Sequence, residues 1–304
     1  MKYFSPLLIF ILGWILLLVS NSLAFIGLTN GLLQLLLFFF VVCIPTWLTQ
    51  RMSYVDIGWP WGLVLIGIVT LLLSEGDSAR VIVVSVAYIF AGGRMGVGAL
   101  KMWKAGMLKR ELPRYEYQKH RWIMAGKTNV KLIMQVEVVL QGLANASFLA
   151  MPALVIATNP GGPVTVLEVL GLSIWLGAFV LESIADNQKL AFLKAMKAQG
   201  KRKQVCNVGL WQYSRHPNYF AEWMVWNGLI IASIPSWLAL YENESLIIWL
   251  LLGCGLLFAS RMMYTTLVYY TGAVPAEYYS VQKRPGYKNY QDATNRFFPG
   301  PKKP

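Results

Sequence analysis

The feature that most restricts this fold is the recurrence of apolar runs about 20 residues long, divided by short polar loops. Wound as a helix, such a run matches the hydrocarbon thickness of a bilayer. Backbone N–H and C=O groups in lipid must be satisfied within the segment, so runs of this kind become helices. Charged residues make up 13% of the 304-residue chain, about half of what a soluble domain carries. The sequence therefore predicts an all-α, polytopic integral membrane bundle of about eight transmembrane helices, built as a single domain over residues 1–304. The spans fall near residues 6–28, 32–47, 58–73, 81–100, 132–157, 164–185, 219–238 and 246–270. The first is too long for a cleaved leader and lacks a clean A-x-A site, so it reads as a retained anchor.

Charge orients the bundle. Lys and Arg crowd residues 101–131, 189–215 and 283–303, while other loops read Glu75-Gly76-Asp77, Asn159-Pro160-Gly161-Gly162 and Glu242-Asn243-Glu244. Under the positive-inside rule the basic segments share the cytoplasmic side, and eight spans with both termini cytoplasmic satisfy every loop. Hydropathy is the same for the endoplasmic reticulum of a eukaryote and the inner membrane of a bacterium. The net charge of +13 attracts anionic membrane lipids and leaves room for a phosphate-bearing ligand. No soluble domain presents a basic face, which argues against nucleic acid.

Cys43, Cys206 and Cys254 show no short spacing, and His120 and His216 are the two histidines. Neither a disulfide frame nor a His-rich metal site follows. A G-x-G-x-x-G turn after a strand and a P-loop are both missing, so a nucleotide has to be held by helix ends and loops.

Polar residues at membrane depth gather in the second half: Gln135, Glu137, Gln141, Asn145, Glu168, Glu182, Asp186 and Asn227. Such groups face a bundle interior or a wet cavity. Gln135, Glu168 and Asn227 read as cement between helices. Glu182, Asp186 and Lys189 fall at i, i+4 and i+7 on one helical face, with Asn187 and Gln188 beside them. A solvated charge ladder has the same spacing, but Glu182 lies inside a span. Carboxylates and an amine at a membrane mouth suit the hydroxyls and amide of a ribose–nicotinamide, with Lys201, Arg202 and Lys203 downstream for phosphates.

Arg215-His216-Pro217-Asn218-Tyr219, with Glu222, opens the next span. The helix start offers free N–H groups to an anion, Pro217 fits its first turn, and Asn218 and Glu222 share a face. Capping needs one such residue, not four. In the tail, Tyr278, Tyr279, Tyr287 and Tyr290 alternate with Lys283, Arg284 and Lys288. That pattern suits either a helix lying on the bilayer or a lid over a nucleotide.

At these residues the chain resembles the steroid 5-alpha-reductase and sterol C14/C24-reductase superfamily, and within it the DUF1295 branch. The resemblance rests on Asp186-Asn187-Gln188-Lys189 with Phe192, on Gly209-Leu210-Trp211, and on Arg215 to Glu222. Tyr54-Val55-Asp56-Ile57-Gly58-Trp59, Glu111-Leu112-Pro113-Arg114-Tyr115 and Leu140-Gln141-Gly142 are similar to branch features, giving coverage over 53–299. It implies an enzyme that binds NADPH at its cytoplasmic end and reduces a C=C bond of a lipophilic, steroid- or isoprenoid-like substrate entering from the bilayer. The nucleotide residues it implies are Glu182, Asp186, Lys189, Arg215, His216, Asn218, Tyr219 and Glu222, with Arg261, Tyr287 and Tyr290. Asp56 stands where the family polarises the substrate carbonyl with a glutamate, and Tyr54 or Tyr88 replaces its tyrosine. On this reading Asp56 is protonated through burial.

The Arg-His-Pro core also occurs in isoprenylcysteine carboxyl methyltransferases, so an S-adenosylmethionine-dependent membrane methyltransferase is the alternative. A transporter is the third reading, disfavoured because the chain shows no internal repeat.

Overall fold

The computed structural model describes residues 4–201 and 203–302, and all regular structure among them is helical. Helix α1 (Leu7–Val19) has 13 residues, about 20 Å of length against the roughly 30 Å of a hydrocarbon core. Helix α2 (Ala24–Phe38) runs through a π-turn at Phe39–Cys43 into α3 (Ile44–Thr49). The expected first span over 6–28 is therefore broken at Ser20. The cause lies far along the chain: the Glu244 carboxylate accepts from Ser20 Oγ at 2.7 Å, Asn21 N at 3.0 Å and Ser22 N at 2.8 Å. Those bonds satisfy a turn that an apolar run alone does not form.

The chain continues through α4 (Val55–Leu73), α5 (Ser78–Lys104), amphipathic α6 (Pro113–Met124), α7 (Val130–Ala146) and α8 (Met151–Ala157). It ends with α9 (Val166–Ala198), α10 (Pro217–Ala239), α11 (Leu246–Thr265), a second π-turn (Thr266–Tyr270), α12 (Ala273–Lys283) and α13 (Tyr287–Ala293). Among the described residues seven helical stretches are long and apolar enough to cross a membrane, and α1 is a shorter apolar helix beside them. The protein is a polytopic helical membrane protein.

The two sets of loops stay apart. On one face Glu244 holds the 20–22 turn, Asp77 N donates to Asn159 C=O at 2.7 Å, and Arg80 pairs with Glu168 at 2.5 Å. On the other face Glu111 pairs with Lys119 inside the first basic segment, and Arg215 donates to the 291–294 backbone, which joins the second segment to the third. The three residues expected to cement helices do so. Gln135 donates to Cys43 C=O at 3.3 Å, Glu168 holds Arg80, and Asn227 accepts from Ser260 at 2.7 Å.

Helices α7 and α8 form the most buried span, and it is broken at its centre around Ser147. A break there frees backbone carbonyls where water cannot reach them. The Tyr88 hydroxyl donates to Leu149 C=O at 2.7 Å, so the side chain expected to polarise a substrate is committed to the backbone. Tyr88→Phe is expected to lower stability by about 1–3 kcal/mol, seen as a reduced Tm in detergent with ligand binding unchanged.

Small residues set the register of the pair that matters most. A side chain at Gly171 would strike the backbone of Ala232 and Gly228, and one at Gly228 would strike Trp175 and Gly171. Antiparallel α9 and α10 thus run nearly backbone to backbone. That register carries the acids of α9 onto the first turns of α10.

Candidate functional site

Asp186 Oδ1 accepts from Asn218 Nδ2 at 3.0 Å, which joins the two motifs directly. Arg94 enters from α5, paired with Glu182 and, through Nη1, with Asp186 Oδ2 at 3.0 Å. Glu222 Oε1 accepts from Trp226 Nε1 at 3.0 Å. Three buried polar atoms of this group lack a hydrogen-bond partner among the described residues: Arg94 Nε, Asn218 Oδ1 and Glu222 Oε2. Buried polar atoms are nearly always paired, so three orphans together mark a place made to meet something else.

A second wall comes from the start of α4 and from α6. Asp56 Oδ2 pairs with Arg114, and Asp56 Oδ1 accepts from the Tyr115 hydroxyl at 2.7 Å. Sequence reasoning made Asp56 a protonated donor; here both its oxygens accept, one from a guanidinium, so the O–H of the pair belongs to Tyr115. Burial opposes the charge on Arg114, but the Asp56 carboxylate together with Tyr115 and Tyr219 holds the guanidinium above its usual range. Burial first, and Asp56 second, push the Tyr115 phenol well above the usual tyrosine range, so it keeps its proton. Tyr219 lies in the electrostatic field of Arg114, Asp186 and Asp56 at once, so both groups lie close to its ring. Glu111 fixes α6 in place, accepting from Met52 N at 2.9 Å and Ser53 Oγ at 2.5 Å and pairing with Lys119 at 2.8 Å. Tyr54 is outside this arrangement, its hydroxyl accepting from Arg51 at 3.0 Å.

The mouth is closed by the chain that follows α9. Lys189 Nζ lies 3.9 Å from the Trp211 ring centre, Trp211 Nε1 donates to Ala185 C=O at 2.9 Å, and Leu210 N donates to Gln188 Oε1 at 2.8 Å. Arg215 is occupied elsewhere. Its Nε and Nη2 hold Glu277 at 2.7 and 3.2 Å, and its Nη1 donates to Gln291 and Thr294 carbonyls. His216 Nε2 is 3.1 Å from Glu277 Oε1, and its ring stacks on Tyr219 at 5.2 Å. Burial pulls the His216 pKa down against the pull of Glu277, so the ring is neutral and donates from Nε2.

Tyr290 donates to Trp211 C=O, and Tyr287 packs on Tyr290 with its own pKa pushed up to about 12, by burial and then by Glu277. These four residues therefore dock α12 and α13 onto the mouth. Arg261 is not brought into the group; it is exposed on α11 over the Tyr264 ring.

Beyond Lys189, the end of α9 and the loop after it meet Arg284 around a cavity of about 410 Å³. Lys197, Lys201, Lys203 and Arg284 form its rim, over Phe192 and Met196. Arg202, the third cation expected to meet phosphate, lies outside the described residues.

Sequence reasoning missed Arg94, Arg114 and Tyr115 as working residues. A cation in an apolar helix was the available signal for Arg94. The other two sat in a quoted motif without a role.

A family model described as "Protein of unknown function (DUF1295)" matches residues 38–294. An uncharacterized protein of Schizosaccharomyces pombe, C594.04c, is 28% identical over 148 residues, 43% of this chain and 38% of its own length. The chain thus matches well under half of that relative. No solved structure gives a significant match.

Proposed function

The chain belongs to the DUF1295 family, and we propose that it is an NADPH-dependent membrane reductase saturating an activated C=C bond of a lipophilic, steroid- or isoprenoid-like substrate. The carrying observation is the Arg94–Glu182–Asp186–Asn218–Glu222 group with its three unpaired buried atoms. Arg94 Nε offers a donor, and Asn218 Oδ1 and Glu222 Oε2 offer acceptors, which is the complement of a carboxamide and ribose hydroxyls. Lys197 lies 11 residues beyond Asp186 on α9, about 16 Å at the helical rise. A dinucleotide gripped at Asp186 thereby reaches the cation-rimmed cavity with its phosphates. The relation to the steroid 5-alpha-reductase superfamily, and the placing of the basic face in the cytosol, belong to this reading.

Bound NADPH supplies the hydride. The chain's own residues supply the rest. As the substrate docks, the Tyr115 hydroxyl exchanges its hydrogen bond to Asp56 for one to the substrate carbonyl system, and then gives its proton as charge builds there. Asp56 holds the hydroxyl until that exchange, and the Asp56–Arg114 pair keeps the phenol in place. The docked tail keeps bulk water from the mouth, and the substrate enters sideways from the bilayer.

The test is a titration of purified full-length protein in nanodiscs with NADPH and, separately, with S-adenosylmethionine. NADPH is expected to bind, S-adenosylmethionine not, and Asn218→Ala to weaken NADPH about tenfold by removing the amide that meets the ligand and also donates to Asp186 Oδ1. Binding of S-adenosylmethionine in place of NADPH, or unchanged NADPH affinity in both Asn218→Ala and Glu222→Ala, sinks the reading.

A further inference from the structure

Glu137 differs from the other acids buried in the helices. Asp56, Glu168, Glu182 and Glu277 each meet a guanidinium, and Glu222 lies in the field of Arg94. Glu137 is buried too, yet it makes no ion pair among the described residues, and the cation whose field reaches it is Lys127 of the loop before α7 rather than a guanidinium of the bundle. Its Oε2 accepts from the Tyr270 hydroxyl and its Oε1 from Gln141 Nε2 at 3.2 Å. A carboxyl group at membrane depth without a direct ion pair is costly to keep, which points to a ligand or a proton path.

Three further features favour a ligand. Tyr270 closes the π-turn Thr266–Tyr270, a local distortion found most often at functional positions. Gly272 follows where a side chain would strike the Leu267 carbonyl, so the backbone is bent tightly just beyond Tyr270. Gln141 and Tyr270 also keep part of their surface accessible. The group is near the first site: Gln118 lies beside the Tyr270 hydroxyl and one turn of α6 after Arg114 and Tyr115.

We propose that Glu137, Tyr270 and Gln141 form a second recognition site, for a hydroxyl group on the lipophilic molecule that Tyr115 engages through its carbonyl. Each Glu137 oxygen has one donor and keeps lone-pair capacity for another, and Gln141 Nε2 has a second N–H. A hydroxyl answers both, donating to Glu137 and accepting from Gln141. An ammonium head would answer only the first, at a far larger cost of leaving water. The site rests on the reductase reading in taking the substrate to be a lipid whose carbonyl Tyr115 engages.

The experiment uses the full chain in phosphatidylcholine nanodiscs with three radiolabelled probes: geranylgeraniol, its methyl ether and geranylgeranylamine. Saturable binding of the alcohol is expected to be at least tenfold tighter than that of the ether. Glu137→Leu and Tyr270→Phe, both compatible with an apolar setting, are each expected to bring the alcohol within about twofold of the ether. Equal binding of alcohol and ether by the wild type, an alcohol preference surviving in both variants, or tighter binding of the amine each overturns the site. NADPH affinity is read on the same samples. Its failure counts against the reductase, whereas loss of the alcohol preference in the wild type alone counts against Glu137.

Discussion

Arg94→Met is expected to abolish measurable NADPH binding and to lower stability by about 3 kcal/mol, the lower end of the cost of breaking a buried ion pair. Among the described residues Arg94 is the one cation that pairs with both Glu182 and Asp186, and Glu222 stands in its field. Removing it leaves like charges facing one another where solvent screens poorly. The double variant Arg94→Met, Glu182→Gln is expected to recover much of the lost stability, since it also neutralises the buried acid that Arg94 pairs with, but not the binding. Arg94→Lys should fall between, because an ammonium cannot span two carboxylates as a planar guanidinium does. Thermal unfolding and NADPH titration on the same nanodisc samples check all three. Wild-type stability and affinity in Arg94→Met would mean that the acids are not a charge-balanced binding group.

How much of this was legible follows from where each partner sits in the chain. Glu182, Asp186, Asn218 and Glu222 were readable because i, i+4 spacing puts them on helix faces at the facing ends of consecutive antiparallel spans. Their meeting needed only a close α9–α10 register, and Gly171 and Gly228 supply it. Arg94 was not legible as their counter-ion, since nothing in α5 names a partner 88 and 92 residues later. The break between α1 and α2 was hidden for the same reason, being decided by Glu244.

Residue type misled in the opposite direction at Tyr88, Arg215 and His216. Each looked like a chemical group awaiting a ligand, and each is occupied by the fold: Tyr88 by the Leu149 carbonyl, the other two by Glu277. Local pattern reports which face a side chain is on, whereas only tertiary structure reports whether its hydrogen-bonding capacity is already used.

Tyr115→Phe is expected to cut turnover by about 100-fold or more, the loss typical of one well-placed donor, while leaving NADPH affinity within about twofold. Phenylalanine keeps the ring that packs beside Met134 and Val138 and removes only the hydroxyl aimed at Asp56. The two other candidate tyrosines serve as controls. Tyr54→Phe and Tyr88→Phe should leave turnover within a few-fold, because their hydroxyls meet Arg51 and a backbone carbonyl. The pH profile separates donation from packing. Burial and Asp56 both raise the Tyr115 pKa, so the donor stays protonated and wild-type activity should persist into alkaline solution. Asp56→Asn removes one of those two causes and leaves Arg114 unbalanced, so the phenol loses its proton at lower pH and the alkaline limb shifts downward. The measurement is NADPH oxidation against a 4-en-3-one steroid across pH, with a solvent deuterium isotope effect in the wild type. Undiminished turnover in Tyr115→Phe, with a collapse in Tyr88→Phe, would return the proton to Tyr88 and leave the Asp56–Arg114–Tyr115 triad a purely architectural brace.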